Sequence, residues 1–235
     1  MTTTTNNEHV QAPLPFATGP VVLTYCPAPA NADALAVLHN WLDDWRSGQN
    51  RSPLIAVRAS AGCGKTRLAH KVMAELGGVV VAPNNDDGSV AIPKEGPFAV
   101  DNADRATGHA LISVYNAASS SGRPCLLTGT APRDRWGIGP GGELPDLKTR
   151  LRSFAVLELE SPDEATLALV LKRTLDEAGI KVADKVVADV AAQLKRRYSA
   201  VELIATAAVR RAMDGSMSAK ALLQSVMRDN PGAIL

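Results

Sequence analysis

The chain has 235 residues, 46% of them hydrophobic, which is enough for a sizeable core in one to two domains. Lysine and arginine number 25 against 24 aspartate and glutamate, so no global field draws the protein to nucleic acid, and any DNA contact has to come from a local patch or through a partner. No stretch approaches the ~20 apolar residues of a membrane span, and the start MTTTTNNEHV lacks the charged-then-apolar layout of a signal peptide, so the expectation is a soluble cytoplasmic protein without a membrane partner.

Residues 1–19 are polar and then interrupted by prolines, and read as a tail. Within it, Gln11-Ala-Pro-Leu-Pro-Phe16 carries one glutamine and two spaced apolar anchors, Leu14 and Phe16. Pro13 and Pro15 hold such a segment near polyproline II, the form of a peptide that docks extended in a groove. A linker whose apolar residues pack back on the body accounts for the same residues equally well. The spacing of Leu35, Val37, Leu38, Trp41, Leu42 and Trp45 predicts a helix over 32–46 with a core-facing stripe.

An apolar run, Pro53 to Val57, then leads into Ala59-Ser-Ala-Gly-Cys-Gly-Lys-Thr66, followed by an amphipathic stretch with Leu68, Ala69, Val72 and Leu76 on one side. Strand, glycine loop and helix in this order are the context of the phosphate-cradling pattern GxxxxGKT, with Ala59 where the first glycine is usual. Backbone N–H groups of Ala59, Ser60, Ala61, Gly62, Cys63 and Gly64 would converge on phosphate oxygens, and the helix adds the positive end of its dipole. Lys65 is placed to reach the β and γ phosphates and Thr66 to ligate Mg²⁺. Ala59 has one methyl group more than glycine and needs negative φ there. The cysteines Cys26, Cys63 and Cys125 have no metal-ligand spacing and fit a reducing compartment; Cys63 reads as a small space-filler in the loop.

Gly77 and Gly78 stop the helix, Val79–Ala82 reads as a short buried strand, and 84–97 is polar and turn-rich. Phe98-Ala-Val-Asp101 is an apolar run ending in an acid, the Walker B pattern, in which Asp101 holds Mg²⁺ through water. The next residue, often a water-activating glutamate, is Asn102, which cannot accept a proton; slow or absent intrinsic hydrolysis is expected unless Asp104 substitutes. A helix over 105–121 buries Leu111, Ile112 and Tyr115, and a strand over 124–130 ends in Thr128 and Thr130, either a sensor of the γ-phosphate or a cap of the following turn. A loop over 131–143, a short helix over 144–151 and a strand over 154–159 complete a five-stranded α/β parallel sheet.

From Ser161 the pattern is helical. Ser161-Pro-Asp-Glu164 and Ser199-Ala-Val-Glu202 read as capping boxes, the first with Leu167, Val170, Leu171 and Leu175 inward and Gly179 as its stop. The second turns Leu203, Ile204, Ala207 and Ala208 inward and stops at Gly215. Helices over 184–197 and 218–228 complete a small bundle. Lys195-Arg-Arg197 is a basic cluster that reads as a solvated helix end. The expected division is a tail over 1–19, a nucleotide-binding α/β domain over 20–159 and a helical lid domain over 160–235.

A phosphate-loop sheet domain followed directly by a small helical domain resembles the AAA+ proteins, and within them the DnaA family, most closely its short Hda-like branch. Leu144-Pro-Asp-Leu-Lys-Thr-Arg-Leu151 is similar to the family's arginine-finger box, Val100-Asp-Asn102 to its Walker B segment, and 128–132 to the turn after its sensor strand. Gln11 to Phe16 is similar to the QxxLxF motif with which bacterial proteins bind the DNA polymerase sliding clamp, so Gln11, Leu14, Pro15 and Phe16 are the implied clamp contacts. The resemblance implies ADP or ATP with Mg²⁺ as cofactors, the sliding clamp and DnaA as partners, and DNA reached only through them. A homodimer is left open. It makes Arg150 an arginine finger supplied to a neighbouring chain's ATP, a device worth roughly a thousand-fold or more in rate. Pairing with Asp146, four residues back on the same helix, is the other reading of Arg150. The chain ends at Leu235, where DnaA continues into a DNA-binding domain, and the family's nucleotide-sensing lid arginine falls near Ala200 or Val201. The implied function is stimulation of DnaA ATP hydrolysis that prevents re-initiation; the alternative is a self-sufficient AAA+ ATPase that loads or remodels replication nucleoprotein complexes.

Overall fold

A computed structural model describes residues 26–49, 52–138, 144–213 and 217–235. The proposed tail contacts Gln11, Leu14, Pro15 and Phe16 lie outside the described residues, as do Gly139, Gly141, Gly142, Glu143 and Gly215. Contacts divide the chain into two units, Pro29–Glu160 and a helical one that joins residues 26–28 to Ser161–Leu235.

The first unit holds α1 (Ala32–Arg46), β1 (Leu54–Arg58), α2 (Lys65–Leu76), β2 (Val79–Val81), β3 (Phe98–Val100), α3 (Gly108–Ser121), β4 (Cys125–Gly129), α4 (Pro145–Arg152) and β5 (Ala155–Glu158). The five strands form one sheet in the order β2-β3-β4-β1-β5, with every neighbouring pair parallel. Side chains alternate across a strand. Leu54, Ala56, Phe98, Val100, Cys125 and Leu127 therefore pack to one side, with Leu111, Val114 and Ala118 of α3 and Leu147 and Leu151 of α4. The alternate positions Ile55, Val57, Ala99 and Leu126 are buried on the other side. There α2 packs against β3 and β4 through Leu68, Ala69, Val72 and Met73, none of which belongs to the α3–α4 cluster.

The run Val79–Val81 forms the sheet edge instead of a buried strand: Val79 is half exposed because β2 has a neighbour on one side only. Cys125, by contrast, is fully buried, and burial pushes its thiol far above the ordinary range.

The helical unit comprises α5 (Glu164–Glu177), α6 (Asp184–Ala191), α7 (Tyr198–Met213) and α8 (Ala219–Asp229) around Leu167, Leu171, Leu175, Val201, Ile204 and Leu223. Residues 26–28 join it through Cys26, whose carbonyl accepts the Tyr198 hydroxyl at 2.6 Å. Both capping boxes differ from expectation. Asp163, not Ser161, caps α5, its Oδ1 accepting from the Thr166 N–H at 2.8 Å, so Pro162 stays outside the helix. Ser199 lies inside α7, which starts one residue earlier. Its buried face runs Val201, Ile204, Ala205, Ala208, Val209 and Ala212, and Leu203, expected inward, is 43% exposed; the many small alanines give the sequence pattern no unique phase. The helix expected over 184–197 ends at Ala191: the Lys195 N–H turns to the Ala233 carbonyl and Gln193 accepts from Leu235, an antiparallel pairing that draws the chain out of the helix.

The Asp163 cap carries a pH signature. Hydrogen bonds from Thr166 hold its carboxyl below the ordinary value of 3.8, so its stabilisation is complete above that value and is lost as the pH falls through the lower folded-state value. Asp163→Ala is expected to lower the thermal midpoint at neutral pH by an amount that vanishes in strong acid; a pH-independent difference contradicts this cap.

Candidate functional site

β1 delivers the chain to residues 59–64, and α2 begins at Lys65. Gly62 and Gly64 have φ of 80° and 89°, a region that a Cβ penalises, while Ala59 stays out of it. Glycine at these two positions is thus a requirement of the turn, and alanine at 59 is not strained by its φ. Lys65 is 6% exposed, and its Nζ donates to the carbonyls of Ala59 at 2.7 Å and Ser60 at 3.0 Å. Burial pulls its ammonium below the ordinary lysine range, an effect partly offset by Cys63, Asp104 and Asp101. The N-terminal turn of α2 adds N–H groups without helical acceptors beside this cation.

Asp101 follows β3 and is buried. Its Oδ2 accepts from the Thr66 hydroxyl at 2.8 Å and from Asn102 Nδ2 at 3.1 Å, and its Oδ1 accepts from the Thr128 hydroxyl at 2.5 Å. The Thr128 oxygen in turn accepts from the Asn102 backbone N–H at 3.0 Å. Thr128, 0% exposed, therefore orients Asp101, and Thr130 is the exposed threonine of the pair. Asn102 sits at φ 56° and ψ 44°, the one non-glycine residue with positive φ among the described residues. Asparagine tolerates this region better than most residues, and such positions gather at functional sites.

Asp104, which sequence reasoning offered as a substitute base, is engaged elsewhere: its Oδ2 accepts from the N–H groups of Thr130 and Ala131, both at 2.8 Å. It ties the segment after β3 to the turn after β4.

Arg150 lies on α4, on the side of the sheet opposite α2. Its Nε donates to Asp146 Oδ2 at 2.8 Å, so the intrahelical pair weighed from sequence is present. Two contacts come from α3 as well: Nη1 donates to Asn116 Oδ1 at 2.5 Å, and the guanidinium lies 4.9 Å from the Tyr115 ring centre. The side chain keeps 28% of its surface exposed. Sequence reasoning missed Asn116 and the stacking of Tyr115, because their partner stands 34 positions on and only the α3–α4 packing joins them. Ala200 and Val201, where a lid arginine would fall, are buried in the helical core.

No protein-family profile matches the chain, and no curated protein matches it. Solved structures do. Domain III of the replication initiation protein DnaA from Thermotoga maritima is similar over 88% of this chain and 94% of its own, with a TM-score of 0.65 at 13% identity. The RuvB Holliday junction branch migration motor of Thermotoga maritima is similar over 84% and 68%, with a TM-score of 0.64 at 15% identity. The ORC2 protein of Aeropyrum pernix, in ADPNP-ADP complexes, is similar over 90% and 71%, with a TM-score of 0.61 at 15% identity. The fold is that of the AAA+ P-loop proteins. At this identity the likeness concerns the fold alone, and within the AAA+ frame the loop 59–66, Asp101 and Thr128 stand at the carboxyl ends of central strands, where open α/β sheets bind ligands. Among the described residues no helix is long and apolar enough to cross a membrane.

Removing Asp104 leaves the partly buried Ala131 N–H without its acceptor and returns the exposed Thr130 N–H to water, at a cost of about 1 kcal/mol. Denaturant unfolding of Asp104→Ala is expected to show that loss, and an unchanged midpoint argues against the tie between the two strand ends.

Proposed function

We propose that the chain binds an adenine nucleotide, ADP or ATP, with Mg²⁺ in the 59–66 loop, and acts as an Hda-like regulator that drives a DnaA partner's ATP to hydrolysis. The residues fit such a ligand: a buried cation at the loop centre, left-handed glycines that let N–H groups converge, and a hydroxyl beside a carboxylate. Lys65 and the loop N–H groups would hold the phosphates, and Thr66 with Asp101 would hold the metal. When bound, Mg²⁺ supplies neutralisation of the phosphate charge. Among the described residues no group of three His, Cys, Asp or Glu could hold a metal, so the ion would rest on Thr66, Asp101 and the nucleotide's own oxygens.

The single observation that carries the regulatory reading is where Arg150 stands. It is partly exposed on the sheet face away from this chain's own phosphate loop, which suits an arginine offered to another chain's nucleotide. Asn102 beside Asp101 supplies no base, in keeping with chemistry performed in a partner's site. In this reading residues 1–19 are the tether, 20–159 the nucleotide-binding domain, of which 26–28 group with the helical unit, and 160–235 the lid. Gln11, Leu14, Pro15 and Phe16 dock on the sliding clamp, raising the effective concentration near DNA-bound DnaA.

The test is DnaA ATP hydrolysis with clamp-loaded DNA, with and without this protein. Wild type is expected to accelerate it and Arg150→Ala to abolish the acceleration while keeping clamp binding; full acceleration by Arg150→Ala overturns the assignment. The double variant Gln11→Ala, Phe16→Ala is expected to lose clamp binding in a pull-down, and retained binding sinks the tail's role.

A further inference from the structure

We propose that Asn116 and Tyr115 of α3 are positioning residues for Arg150, holding its guanidinium in one plane and presenting its Nη2 edge to the γ-phosphoryl oxygens of a nucleoside triphosphate bound by a second chain. The inference rests on the reading of Arg150 as a finger acting in trans.

A guanidinium carries five N–H donors in a fixed fork. Here Nε is taken by Asp146 and Nη1 by Asn116, while the Tyr115 ring lies against the guanidinium. Among the described residues Nη2 has no partner. Two bonded nitrogens and a stacked ring fix both the position and the plane of the group, so the remaining edge points in a defined direction. That matters because a free arginine side chain carries substantial rotamer entropy, which an unsupported finger must lose on reaching its target. Fixed in-plane donors match the geometry of phosphate oxygens.

The cradle is built across two helices. Tyr115 packs on the core beneath α3, and its hydroxyl lies 3.4 Å from the Ser153 oxygen, whose own proton is donated to the Arg150 carbonyl at 2.7 Å. Asn116 is exposed and not part of the core cluster, so its side chain's contact in this region is the bond to Arg150. The pair with Asp146 is exposed and by itself stabilises little. Asp146 also offsets part of the Arg150 charge, so a group that only had to carry charge would be better without it. The arrangement favours orientation over net charge.

Maximal stimulation of DnaA ATP hydrolysis and the concentration giving half of it are measured for Asn116→Ala, Asn116→Asp, Tyr115→Phe and Arg150→Ala, with folding checked by thermal melting. Asn116→Ala is expected to lower the maximum by roughly ten- to a hundredfold at unchanged half-saturation, as misplacement of a reacting group does. Asn116→Asp keeps an acceptor for Nη1 and Tyr115→Phe keeps the ring face, so both are expected to retain most of the stimulation. If Arg150→Ala abolishes stimulation while Asn116→Ala matches wild type, the cradle is overturned and the finger stands. A rise in half-saturation with an unchanged maximum likewise overturns it, since that marks a contact with the partner. If Arg150→Ala itself matches wild type, the finger reading fails and the cradle with it.

Discussion

The carboxylate of Asp101 is the point at which the sheet, the phosphate loop and the strand-end turns are tied together. It accepts hydrogen bonds from Thr66 at the start of α2, from Thr128 in β4 and from the neighbouring Asn102. A buried carboxylate is costly unless its lone pairs are satisfied. The three donors meet that need only if α2, β3 and β4 end in register, which the parallel pairing Val100 to Leu127 provides. Lys65 imposes the complementary condition, since its buried ammonium needs the Ala59 and Ser60 carbonyls to curl around it. The loop and the strand ends are therefore specified by the hydrogen bonds that two buried charged groups require and not by apolar packing alone.

The same sheet separates two chemistries. One side carries α2 and its phosphate loop; the other carries α3, α4 and Arg150. This separation is what makes a single chain an incomplete catalytic unit in the proposed reading: it has a place to hold a nucleotide and an arginine to offer, and they face different neighbours. Asn102 fits the division. Its amide supports Asp101 and its left-handed backbone lets its N–H reach Thr128, so the residue stabilises the strand end where a glutamate would act on water.

Much of the frame was legible in the sequence because its signals are local. The glycines, Lys65 and Thr66 lie within one short stretch, and apolar runs marked all five strands, although the run at Val79 could not reveal that β2 lies at an edge. The helical unit was harder. Ser161 and Asp163 are both good caps two positions apart, and only the Thr166 hydrogen bond decides between them. In α7 the run Ala205, Ala207, Ala208 is compatible with more than one inward face, and packing selected one that leaves Leu203 outside. The short α6 was invisible for another reason: the pairing that ends it involves residues 233–235, far along the chain. At the site, Asp104 looked like an available base because its acceptors' partners, the N–H groups of Thr130 and Ala131, are backbone and carry no residue signature. The α3 contacts to Arg150 were hidden in the same way by their separation in sequence.

In the proposed reading the chain retains a nucleotide and by itself turns it over slowly or not at all. Single-turnover hydrolysis of ATP by the purified protein, with Mg²⁺ and no partner, addresses this directly. The prediction is that ATP binds through Lys65 and is recovered largely intact, with a Lys65→Ala variant binding none. Steady conversion to ADP by the protein alone, at a rate unaffected by partners, would contradict it.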